Sequence, residues 1–150
     1  MECERIADQL TRSINGDAWH GLSVSELLAG VPIEKLTAKP IPGAHSIWEI
    51  VLHITVWLEV IRRRLLGEAV QPTDEQDWQP VEDATEKGWR TTIDRLDSVH
   101  RELLKTIGGM TDEQLQSATP GKDDTLYIQL HGVVQHNLYH AGQIALLKKF

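Results

Sequence analysis

Residues 46–67, SIWEIVLHITVWLEVIRRRLLG, read as one amphipathic helix with both ends marked. Ser46 and Glu49 have the spacing of a capping box, in which each side chain answers the other residue's backbone N–H. Ile50, His53, Trp57, Ile61 and Leu65 then recur at steps of three and four, the period of one helix face, until Gly67 stops the run. Outward from this segment, three further stretches share the period and none shows the alternation of a strand. Residues 2–15 carry Ile6, Leu10 and Ile14, with Gly16 as the stop. A third helix, from near Asp83 to Gly108-Gly109, carries Trp89, Ile93, Leu96, Leu103 and Ile107. The fourth follows Asp123-Asp124, read as N-cap residues, and continues to the end of the chain, where Lys148 and Lys149 suit the negative end of the helix dipole. Short helical turns are expected at Ser23-x-x-Glu26, after Pro32 and over Thr111 to Gln116, and a loop over Glu68 to Glu82. Four long helices with long crossover connections predict an all-α four-helix bundle, with residues 1–150 as one domain.

Composition narrows the function classes. Hydrophobic residues make up 41% and charged residues 25% of the chain, ordinary values for a globular protein. A net charge of −7 repels phosphate backbones and argues against nucleic-acid binding. The densest basic run, Arg62, Arg63 and Arg64, fans around its helix and reads as a solvated face. Cys3 is the single cysteine, so no intrachain disulfide forms, and its terminal place argues against a catalytic nucleophile. No apolar stretch reaches the roughly 18 residues of a membrane span, and Met1 to Asp8 has no signal-peptide core. A cytoplasmic protein is the expectation.

The histidines are the informative residues. His136 and His140 are four apart and share a helix side with Val133, Ile144 and Leu147, so both point inward and can reach one metal. His53 lies mid-stripe between Ile50 and Trp57. Each buried imidazole must satisfy a polar nitrogen, so three aimed into one core need a reason. Any one of them alone reads more simply as a hydrogen-bonded core residue. His100 shares the stripe of Leu96 and Leu103 and competes as a fourth ligand, although a boundary or supporting place suits it better. His131 falls on the far side of its helix, and His20 and His45 lie in loops.

The runs HNLYHAGQIALLKK and KPIPGAHSIWEIVLHITVW, with GDAWHGLSVSELL ahead of them, strongly resemble the DinB-like (DinB/YfiT-like) family of bacterial metal-binding bundles across nearly the whole chain. In that family one His of the second helix and an H-x-x-x-H pair of the last helix hold a divalent metal, which implies His53, His136 and His140 as ligands here. The resemblance extends more distantly to S-transferases that use low-molecular-weight thiols and to a thiol-dependent maleylpyruvate isomerase. The family name's link to DNA damage concerns expression, not DNA binding.

Three neutral imidazoles leave a coordination position open, the mark of a catalytic site. One divalent ion is expected, zinc or nickel first, with iron, manganese or cobalt as alternatives. Such an ion would activate a water or a thiol, giving a thiol S-transferase or a hydrolase that acts on a small molecule. The alternative is a non-catalytic metal-binding or stress-response interaction module. No catalytic residue beyond the ligands is assigned. Gln143, Asn137 and Glu49 are candidate supports for the ligand rings. Trp57 reads as core packing before pocket wall, and Trp78, in an acidic loop bounded by prolines, as a cover for the site or a partner contact. Apolar faces left over after bundle closure point to a homodimer; no membrane partner is expected.

Overall fold

The computed structural model describes residues 1–150 and contains helices only. The elements are α1 (Glu2–Asn15), α2 (Val24–Leu28), α3 (Ile33–Thr37), α4 (Ile47–Leu65), α5 (Asp74–Asp77), α6 (Glu86–Gly108), a 3-10 turn at Asp112–Gln116, and α7 (Leu126–Leu147). The long helices α1, α4, α6 and α7 form the bundle. α4 packs on α6 and α7, and α1 closes on the same two, so α1 and α4 face each other across a diagonal. No helix is long and apolar enough to cross a membrane.

Side-chain contacts give the helix directions. Near the start of α4, the Trp48 indole N–H donates to Thr92 Oγ1 near the start of α6 (3.0 Å) and meets Trp89 edge-on, so these two helices run parallel. Arg64, at the end of α4, bonds Gln129 at the start of α7, so those two run antiparallel. Asp112, just past α6, accepts the N–H groups of Glu2 and Cys3 at 2.8 and 3.0 Å and thereby caps the start of α1. These directions bring the middle of α4 against the second half of α7, where the histidines lie.

Local capping sets most boundaries. Ser46 and Glu49 form the expected box, as do Ser23 and Glu26 ahead of α2. Three expectations need correction. α6 starts at Glu86, because Thr85 takes the Gly88 N–H on its side chain, and not near Asp83. α7 starts at Leu126 for the same reason: Thr125 caps it, while Asp124 turns its carboxylate to Gln129 Nε2 at 2.7 Å. α7 also ends at Leu147, short of the chain end, where Lys148 donates to the Leu27 carbonyl and Lys35 donates to that of Lys148. Beyond these shifts, the loop after α4 holds an unforeseen short helix, α5, capped by Thr73 and Gln76.

The apolar stripe read for α4 is too narrow. Val51, Ile54, Val56, Leu58 and Val60 are also buried, because α4 is enclosed by α3, α6 and α7 together. Each such side chain contributes about 1.5–3 kcal/mol on burial. Leu96, Leu103 and Ile107 face it from α6, and Leu130, Val133 and Ile144 from α7.

Candidate metal centre

α4 supplies His53, and α7 supplies His136 and His140 one turn apart; all three sequence-predicted positions meet. One ring nitrogen from each lies within 4.8 Å of the others. His136 Nε2 is the hub, 2.9 Å from His53 Nε2 and 3.1 Å from His140 Nε2. His53 and His140 are buried and His136 is partly buried.

The outer nitrogens fix the tautomers. His53 Nδ1 faces two acceptors of Asp77, the main-chain carbonyl at 3.0 Å and Oδ1 at 2.9 Å, so it donates. His140 Nδ1 donates to Gln143 Oε1 at 2.6 Å. Both residues therefore turn an Nε2 lone pair inward. His136 can carry one proton on its Nε2 and share it with one neighbour, which leaves the second nitrogen pair facing each other without a hydrogen. A divalent cation accepts all three lone pairs at once, leaving buried His136 Nδ1 as the one nitrogen of these three rings without a partner. Two of the three nitrogen separations, 2.9 and 3.1 Å, approach the roughly 3.3 Å set by metal–nitrogen bonds of about 2.0–2.1 Å in a tetrahedron, and all three lie within 4.8 Å. The donor set thus fits a metal ion.

Burial keeps the rings neutral. It lowers the His53 pKa despite the opposing pull of Asp77. It takes His136 to about 3, helped by repulsion from His140 and His53, and His140 to about 4. Neutral imidazoles at pH 7 are the form that ligates.

The loop after α4 walls the site. Trp78 stacks flat on His53 (3.8 Å between ring centroids, 3° between planes), and His45 stacks on its other face at 3.5 Å. Trp57 donates its indole N–H to Asp77 Oδ1 at 2.7 Å, so one carboxylate ties an α4 ligand and an α4 indole to the end of α5. Two cavities flank the cluster. One, of about 410 Å³, runs from His136 past Trp57 toward Arg64 and Lys122. The other, of about 330 Å³, lies between His45, Trp78, Tyr139 and His140.

A family model for the DinB superfamily matches residues 19–144. The chain belongs to the DinB superfamily. The match takes in α4, the Asp77-Trp78 loop and the histidine pair of this superfamily member. No curated protein and no solved structure matches the chain.

Other sequence readings fare unevenly. Gln143 supports His140 as anticipated. Asn137 donates to Ser13 of α1 and its side chain also acts on His136, opposing the effect of burial, whereas Glu49 caps α4 while pairing with Lys39. Trp57 is a cavity wall and a donor to Asp77 rather than plain core. His100 is buried at 1% exposure but does not join the cluster, and its Nε2 has no partner. Asp77 was not singled out by sequence; its only signal is an acidic residue beside Trp78 in a loop. Replacing it should loosen metal without removing it, since carboxylates behind ligating histidines are typically worth about 10–100-fold in affinity. Asp77→Ala keeps the main-chain acceptor, so a loss near tenfold is expected in a competition titration against a chromophoric chelator, and unchanged affinity would contradict this role.

Proposed function

We propose that this DinB-superfamily chain is a cytoplasmic, metal-dependent enzyme acting on a small molecule, by thiol S-transfer or by hydrolysis. The observation that carries the reading is the convergence of three Nε2 atoms whose proton supply can satisfy only one of the two close nitrogen contacts. His53, His136 and His140 hold the ion. When bound, a divalent ion, zinc or nickel first, supplies Lewis acidity and lowers the pKa of a water or thiol at the position three neutral ligands leave open. Asp77 and Gln143 hold two of the rings in the ligating tautomer by accepting their Nδ1–H groups. Trp57 and Trp78 exclude water from one side of the cluster, and the cavity at His136 gives a small molecule a way in. A panel of thiols with electrophiles, and of esters and amides, should show turnover that disappears in chelated protein and in His53→Ala.

A second reading has its own support. Trp78 covers a whole face of His53, as it would in a closed site that only tightens the bundle. A non-catalytic module of this kind predicts a large stability loss on chelation and no response of the bound metal to added thiols. Absence of turnover across the panel, with those two results, would favour it.

A further inference from the structure

Arg64 is the anomaly of α4. Its neighbours are paired in the ordinary way, Arg62 with Glu59 and Arg63 with Glu68. Arg64 is 3% exposed and makes no ion pair. Its guanidinium bonds neutral acceptors only: the Val70 carbonyl from Nε and Nη2, Gln71 Oε1 from Nη2, and Gln129 Oε1 from Nη1. The nearest opposite charge is Asp124, which acts on Arg64 from beyond ion-pair distance and does not offset its burial. A buried cation so placed is costly unless a further anion answers it. One Nη1 hydrogen remains free among its five N–H donors.

The same cavity holds two more charges. Lys122 reaches Gln71 Oε1 at 2.6 Å and has ammonium hydrogens to spare. Asp124 spends Oδ2 on Gln129, while its buried Oδ1 has no partner. The formal charge of the lining is therefore +1, from two cations and one carboxylate. Its remaining walls are apolar, formed by Trp57, Ile61 and Val133, and at the far side stands His136.

Resting on the metal-enzyme reading above, we infer that this cavity is the substrate pocket and that Arg64 and Lys122 bind the carboxylate of a small monoanionic substrate whose other end reaches the three-histidine centre. One carboxylate balances the lining, whereas a phosphate dianion would reverse its sign. The free Asp124 Oδ1 adds a second requirement, a hydrogen-bond donor such as an amide N–H next to the carboxylate. Charge-assisted contacts of this type are the strong ones, and in a walled cavity each is worth about tenfold or more.

Calorimetry with matched probes tests this. N-acetylcysteine and its neutral amide are titrated into metal-loaded protein, and N-acetylalanine and its amide into metal-free protein. Each acid should bind about tenfold or more tightly than its amide. Lys122→Gln, an exposed position, should shrink that preference several-fold, and Arg64→Met, checked for folding by circular dichroism, should abolish it. Equal binding of acid and amide, or a Lys122→Gln protein that discriminates like the wild type, overturns the inference. Tight binding of inorganic phosphate in place of the acids overturns the carboxylate assignment. The two readings fail separately. If N-acetylcysteine gains nothing from metal over N-acetylalanine, the thiol branch of the metal-enzyme reading falls while the carboxylate preference stands. A metal-dependent gain without acid-over-amide preference sinks this inference alone.

Discussion

Metal-free protein should lose stability steadily as the pH falls from about 6.5 to 5, before most carboxylates titrate. Burial lowers the pKa of His53 and His100, and takes His136 to about 3 and His140 to about 4. The unfolded chain takes up the same protons near pH 6.5. Within that window the unfolded state binds protons that the folded state refuses. The stabilisation is thus complete above pH 6.5, drains as pH falls, and stops draining only when the folded rings protonate near their own lowered values. Each fully refused proton costs about 1.4 kcal/mol per pH unit. Several rings together can remove a large part of the 5–15 kcal/mol or so that holds a typical domain folded. Urea unfolding with chelator present, at steps between pH 7 and 5, reads this directly. A flat profile would contradict buried, neutral histidines. Bound metal should hold the curve up until protons displace it.

Trp48→Ala should be the most damaging single core change, at about 3–5 kcal/mol. Trp48 is 2% exposed at the start of α4, its ring against Trp89 and its N–H on Thr92. Truncation opens a large cavity and also removes the indole N–H that Thr92 Oγ1 accepts, leaving that hydroxyl only its own bond to the Gly88 carbonyl. Thermal unfolding should show a drop of many degrees, and metal affinity should fall only through that loss of stability. Trp48→Phe, which keeps the ring volume near its partner, should recover most of it. A loss under about 1 kcal/mol in Trp48→Ala would mean that the two helices are not joined here.

The sequence showed most where the physics is local. The boxes at Ser46–Glu49 and Ser23–Glu26 act within one turn, so both helix starts were legible. Asp123 and Asp124 read as caps for the same reason, but Thr125 takes that place, and α6, expected to start near Asp83, is capped by Thr85. Helical spacing turns His136 and His140 to one side and puts His53 in an apolar stripe, which makes them metal candidates; spacing leaves His100 in contention, and the family resemblance is what selects the three. What surrounds them depends on tertiary placement. Asp77 and Trp78 lie more than twenty residues beyond His53, on a loop whose return path no local rule dictates. Arg64 looked like one third of a solvated basic run, and only the packing of α4 against the start of α7 turns it inward. His100 shows the limit of face reasoning: it does point into the core, yet it stands apart from the cluster.

We propose that His53, His136 and His140 together hold one divalent ion. Elemental analysis of untagged protein beside His53→Ala and His140→Ala variants, each confirmed as folded, tests it most directly. About one equivalent of zinc or nickel is expected in the wild type and little in either variant, because one of three protein ligands is removed. Equal metal content in all three proteins, or none in the wild type after growth with both metals supplied, would contradict it.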